Sequence, residues 1–179
     1  MIVDVKYENN KNAMALSLAN ILLTAEEKPV FLCVGTDKVV GDSVGAITGE
    51  LLKARYKINA YIYGDLEYNI NANNLKDVVK NIKINHPQSP IILIDGILGD
   101  VDEVGHVKFY PYGAYASGQF KEGVFVGDFS ILAVVNTKGI DSLNFLQSVR
   151  LKTVVKQAEF IADSISRAYK YTQKLLFEF

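Results

Sequence analysis

Hydrophobic positions along the chain alternate between two rhythms. From Asn10 to Thr24 the residues Ala13, Met14, Leu18, Ile21 and Leu22 recur near one face of a helix. Glu26 to Pro29 breaks that pattern, and Val30 to Val34 is apolar with no polar alternation, as in a strand buried on both faces. A polar loop, Thr36 to Gly41, leads to Asp42, after which Val44, Ile47, Thr48, Leu51 and Leu52 return at helical spacing. Asn59 to Tyr63 reads as a second strand closed by Gly64-Asp65, and Leu75, Val78, Val79 and Ile82 mark a helix that stops before His86-Pro87. Pro90 to Asp95 is a third strand, again buried on both faces. Strand, helix, strand, helix, strand predicts a parallel sheet with right-handed crossovers.

The second half changes character. Val104 to Tyr110 reads as a strand, Pro111 to Gly123 as a long Gly-, Tyr- and Ser-rich loop, and Ser130 to Val135 as a strand ending at Asn136. Asp141 then caps a helix. From Leu151 the residues Val154, Val155, Ala158, Ile161, Ala162, Ile165 and Tyr169 trace one stripe of a long helix. The expected architecture is one three-layer α/β/α sandwich over residues 1–179 with a mostly parallel, mixed sheet. Residues 1–29 form an N-terminal helical extension packed on it, and residues 151–179 form the closing helix.

Composition narrows the function. A net charge of −1 leaves no bulk positive field to recruit nucleic acid or an anionic membrane. No apolar run is long enough to span a bilayer, and Ala13 to Leu23 lacks the basic flank of a signal peptide. The single cysteine, Cys33, lies inside an apolar run and reads as a small buried hydrophobe; one thiol gives no intrachain disulfide and suits a reducing cytoplasm. Ten tyrosines and nine phenylalanines would serve a homo-oligomer interface or the core equally well.

Several motifs are missing. No lysine follows the second glycine of Gly35 to Ser43, so this is not a phosphate-binding loop, and neither a dinucleotide glycine fingerprint nor a nucleophile elbow occurs. His86 and His106 are far apart and no second cysteine exists, which argues against a zinc site. No cofactor is expected. Two carboxylates remain: Asp42 after the loop that follows the first buried strand, and Asp95 at the end of the third. In a parallel sheet both lie on one edge, where two close carboxylates share a proton and can activate water as base and acid. The alternative is structural, with Asp42 an N-cap and Asp95 a turn residue before Gly96. The loop from Gly35 to Gly41 would wall the pair, with Gly35, Thr36, Asp37, Ser43 and Asn136 as candidates to touch a peptide or protein substrate. Tyr112 to Gly118 is a further candidate wall, or a solvated connection. Asp128 begins a strand, so its side chain is expected at the far edge in a structural role.

The stretches CVGTDKVVGDSVGAITGELL, PIILIDGILGD, VGDFSILAVVN and FLQSVRL resemble, in order and spacing, the YyaC-type sporulation proteins. They are similar at greater distance to the germination protease that degrades small acid-soluble spore proteins. The resemblance covers Val30 to about Ile165 and implies a phosphorylase/hydrolase-like α/β/α fold, shared with the hydrogenase maturation peptidases. It places the germination protease's proposed catalytic aspartates on Asp42 and Asp95, and the protein in a sporulating cell or forespore. The maturation peptidases carry acidic metal ligands at similar positions and add a histidine, which His106 does not match. The resemblance therefore implies an aspartate-dependent peptidase-like hydrolase, a non-catalytic regulatory or binding protein of the same fold, or, third, a metal-binding maturation peptidase, a reading that the unmatched histidine weakens.

Overall fold

The computed structural model describes residues 1–116, 123–139 and 141–177. The expected loop residues 117–122 and the last two residues of the expected terminal helix lie outside them. Six strands form one mixed sheet in the order β1-β5-β8-β4-β2-β3. Its centre is parallel: β2 (Val30–Cys33), β3 (Tyr61–Tyr63), β4 (Ile91–Gly99) and β8 (Phe129–Thr137) run in one direction. Two antiparallel strands, β5 (His106–Tyr110) and β1 (Ile2–Asp4), complete one side. The fold is therefore mixed α/β with a mostly parallel sheet flanked by helices, as the alternation of strand and helix patterns predicts.

The two sheet faces are covered unequally. Phe31, Cys33, Ile92 and Ile94 point into a core closed by α1 (Glu8–Thr24), α2 (Val44–Glu50) and α5 (Leu151–Phe177). Val30, Leu32, Leu93 and Leu132 point the other way, under α3 (Leu75–Asn85) and a separate two-stranded ribbon of β6 (Ala114–Ala116) and β7 (Val124–Val126). Continuous apolar runs in β2 and β4 are what burial on both faces demands. α1 lies along α5, and Arg167 ties them by donating to Asn12 Oδ1 at 2.8 Å and Asp163 Oδ2 at 2.9 Å, and by pairing with Glu8.

Four sequence readings are corrected. The N-terminal residues are not purely a helical extension, because Ile2–Asp4 joins the sheet as an edge strand. Asp95 does not close its strand, since β4 continues to Gly99 with a register shift between Ile97 and Leu98. The expected loop Pro111 to Gly123 contains β6, which pairs with β7 just beyond it so that Tyr115 and Phe125 face each other across strands. Of the apolar stripe expected on the second helix, Val44, Thr48 and Leu52 are fully buried while Ile47 and Leu51 are only partly so, and the side in closest contact adds Gly45 and Gly49.

Candidate active site

β2 runs out at Val34, and the next residue must turn the chain sharply. Gly35 does so at φ +138°, and a Cβ there would stand 1.9 Å from the Asp42 carbonyl oxygen. That close return folds Thr36 to Gly41 into a compact loop ending in a 3-10 turn, Val40–Asp42. The Thr36 N–H donates to both the Asp42 carbonyl (3.1 Å) and Asp42 Oδ2 (3.0 Å). Asp42 therefore caps no helix. α2 starts at Val44, and its N-cap residue Ser43 makes no side-chain capping bond.

Asp95 sits mid-strand in β4, paired in register with Leu132 of β8. The alternation along β4 puts it on the face of Leu93, and it is 7% exposed. Its Oδ1 accepts from the Gly96 N–H at 2.8 Å. Gly96 is small for a reason: a Cβ there would come within 2.6 Å of the Gly41 carbonyl, so the 3-10 turn carrying Asp42 rests directly on β4 beside Asp95.

The electrostatics follow from this placement. Burial raises the Asp42 carboxyl to about 6, partly offset by the Thr36 N–H bond. Burial first, and then the negative charge of Asp42, push Asp95 well above the usual carboxylate range. Both shifts favour the protonated form, more so at the more deeply buried Asp95.

The other candidates fall in different places. Gly35 and Thr36 shape the turn against Asp42. Asp37 is exposed, with its N–H 3.4 Å from Asn69 Oδ1. Ser43 is buried and its hydroxyl donates to the Val40 carbonyl at 2.7 Å, so that group serves the turn. Asn136 donates to the Phe145 carbonyl at 2.8 Å and to Ser148 Oγ at 3.3 Å, and accepts from Thr137 N–H, which seats α4 (Ser142–Gln147) on the end of β8. Tyr112 stacks on Tyr110 and accepts from Ser130 Oγ, which places the start of the proposed wall at the opposite end of β8 from Asn136; residues 117 and 118 of that wall lie outside the described residues. Asp128 accepts from the Ile91 N–H at 2.8 Å, at the start of β4 and far along the strand from Asp95. Asp141 caps α4 through the Asn144 N–H.

Two further residues border the site without having been singled out by sequence. Asn69, in the loop after β3, accepts from Thr36 Oγ1 at 2.7 Å. Asp65, at the head of that loop, is buried and paired with Lys53 from a π-helical turn (Leu51–Arg55) that continues α2. The signal available was the density of Asn and Asp in DLEYNINANNL, residues that hold turns by bonding nearby backbone.

The histidines are occupied elsewhere. His86 stacks on Tyr61 with ring centres 3.7 Å apart and bonds the Tyr63 hydroxyl, while His106 Nδ1 meets the Glu103 carbonyl. Among the described residues no group of three or more His, Cys, Asp or Glu is arranged to hold a metal ion. The donor set at Asp42 and Asp95 thus does not fit the histidine-containing metal centre that the maturation-peptidase resemblance implies. Cys33 is fully buried, and desolvation pushes its thiol up to about 12. No helix among the described residues is long and apolar enough to cross a membrane.

Residues 2–164 match the family described as "Protein of unknown function (DUF1256)". The chain belongs to that family. It is 32% identical over 157 residues to "Uncharacterized protein YyaC" of Bacillus subtilis (strain 168), covering 83% of this chain and 74% of the relative. The expected YyaC-type kinship is therefore shown. Among solved structures, the NiFe hydrogenase maturation protease HycI from Thermococcus kodakarensis KOD1 superposes with a TM-score of 0.56 at 14% identity, covering 86% of this chain and 99% of that one. At that identity the likeness is one of fold.

Proposed function

We propose that this DUF1256 protein is a peptidase-like hydrolase in which Asp42 and Asp95 activate water. One observation carries the reading: the turn bearing Asp42 rests on β4 beside Asp95, and the two carboxyls are both raised, Asp42 by burial to about 6 and Asp95 by burial and then by its neighbour's charge to well above the usual range. Structural caps and turns are usually solvated or hydrogen-bonded into a lowered pKa; raised and coupled carboxylates are how acid and base roles are separated. Asp42, ionised, takes a proton from water as the oxygen attacks the amide carbonyl carbon. Asp95 gives its proton to the leaving nitrogen as the C–N bond breaks, and the proton on Asp42 then returns the pair to its starting state. The HycI fold is compatible with a peptide substrate, and the YyaC kinship supports a role in sporulating cells.

The test is hydrolysis of a fluorogenic peptide library and of intact spore proteins by wild type, Asp42→Asn and Asp95→Asn. Loss of an acid or base typically costs on the order of 10²- to 10⁴-fold, so each variant should fall by about 100-fold or more. Equal cleavage by all three proteins would end this reading.

A second reading is a non-catalytic binding protein, favoured by the internal hydrogen bonds of Ser43 and Asn136, two of the candidates to touch a substrate. It predicts no turnover by wild type together with retention of a specific partner from sporulating cells.

A further inference from the structure

The loop after β3 and the loop after β2 are joined by more than packing. The Gly35 N–H donates to the Ile70 carbonyl at 2.6 Å. Beside that bond, Asn69 Oδ1 accepts from Thr36 Oγ1 at 2.7 Å and lies 3.4 Å from the Asp37 N–H. The amide end of Asn69 donates to the Asp65 carbonyl at 2.9 Å, which fixes which way the side chain faces and aims its oxygen at Thr36. Asn69 is held from behind as well, since its own carbonyl accepts from Asn74 Nδ2 at 2.9 Å. Asp65 is in turn anchored by the N–H groups of Glu67 and Tyr68 and by Lys53. The far end of this chain of bonds is the Thr36 N–H, 3.0 Å from Asp42 Oδ2.

We infer that Asn69 is a positioning residue: by holding the Thr36 side chain it keeps the Thr36 N–H on Asp42 Oδ2, leaving the other carboxylate oxygen turned toward the reacting water. This rests on Asp42 as the base of the proposed hydrolase. The chemistry asks for asparagine. One short side chain must accept from Thr36 and donate to Asp65 at once, and an aspartate there would add a negative charge beside Asp42. Thr36 needs its hydroxyl for the same reason, because that group ties the loop to Asn69 while its amide ties the loop to Asp42.

The charges around Asp42 are few. Asp95 on β4 is near enough for the charge of Asp42 to raise it. α4, which packs on the same turn, has no ionisable side chain between Ser142 and Gln147. On α5, which also reaches the turn, Lys152 and Lys156 are exposed, as are Asp37 and Lys38 on the loop itself. The Thr36 N–H is the hydrogen bond that holds Asp42 down against its burial. Its loss therefore has a definite sign.

The experiment follows the Asp42 side-chain carboxyl by carbon NMR through a pH titration, with amide exchange at Thr36, in the full chain. Wild type is compared with Asn69→Ala, Thr36→Val and Thr36→Ser. In Asn69→Ala and Thr36→Val the Asp42 midpoint should rise by about one pH unit, the scale of one lost hydrogen bond to a carboxylate. Thr36 protection should fall about tenfold or more as the loop opens locally. Thr36→Ser, which keeps the hydroxyl, should restore both. A folded Asn69→Ala protein with an unmoved Asp42 midpoint and full Thr36 protection overturns the inference; if that variant does not fold, Thr36→Val decides on the same two readouts. Should wild type cleave no peptide while the midpoint still moves, the hydrolase reading falls and the positioning role stands.

Discussion

Asp42 and Asp95 share one intrinsic chemistry, and backbone placement separates them. Asp42 hangs from a surface turn with one hydrogen bond from Thr36, while Asp95 is fixed on a central strand and 7% exposed. Hydrolysis should therefore need Asp42 ionised and Asp95 protonated. The rate of peptide cleavage by wild type is expected to rise about tenfold per pH unit below about 6, level off, and fall again at higher pH as Asp95 loses its proton. A cleavage rate flat from pH 4 to pH 8 would contradict the assignment. Both aspartates could be singled out in the sequence because carboxylates stand out beside or within apolar runs, although Asp95 lies mid-strand and Asp42 in a 3-10 turn. Their exact setting was not legible. The N-cap expectation for Asp42 fails because Gly35 and the 3-10 turn bring the carboxylate back onto Thr36, a consequence of positive φ at one residue. Asn69 was out of reach for a different reason: its contact with Thr36 spans 33 residues, and no local pattern reports a pairing between two loops.

At the level of elements, α2 shows how a backbone contact sets the site. Gly45 and Gly49 lie four residues apart on its buried side. A Cβ on Gly45 would stand 1.9 Å from the Val34 carbonyl, and one on Gly49 the same distance from the Gly64 carbonyl. α2 thus lies with its backbone on the ends of β2 and β3, and its first turn is held against the loop bearing Asp42. Gly45→Ala is expected to cost about 3 kcal/mol through overpacking against main chain that cannot yield. By chemical denaturation that loss should appear as a lower midpoint with an unchanged slope. A variant within about 0.5 kcal/mol of wild type would show that the helix can lift away freely. The apolar spacing in the sequence identified α2 as a helix and placed Val44, Thr48 and, in its continuation, Leu52 on the buried side, but it missed Gly45 and Gly49, which make the closest contacts. The eye follows large side chains such as Ile47 and Leu51, whereas the tightest contact is made where side chains are missing. The same bias hid β1, whose Ile2–Asp4 is too short to show a period, and the ribbon, whose Gly- and Tyr-rich surroundings read as loop. The parallel core of β2, β4 and β8 was legible because strands buried on both faces have no choice of composition.

Across the whole molecule, ionisable groups pull stability in opposite directions with pH. Asp65, held down by Lys53 and two backbone N–H groups against its burial, has a lowered pKa, as does Asp163 between Arg167 and Lys11. Their contribution is present above the ordinary carboxylate range and is lost as pH falls. Asp42 and Asp95 act with the other sign. Their native pKa values are raised, so the folded state binds more protons than the unfolded chain between about pH 4 and the native values. Their contribution is complete below the unfolded pKa and is lost as pH climbs through about 6 for Asp42 and further for Asp95. Raised carboxyls at Asp42 and Asp95 therefore leave the folded state less stable at neutral pH than at low pH, as far as these two groups are concerned. Asp95→Asn removes one of these carboxyls while retaining the acceptor for the Gly96 N–H. Thermal melts should then place the variant a few degrees above wild type at pH 8. At pH 4, where Asp95 is protonated in the folded wild type, the two should melt together. If Asp95→Asn is destabilised equally at both pH values, the carboxyl is engaged by a partner that favours its charged form, and the acid role assigned to it fails.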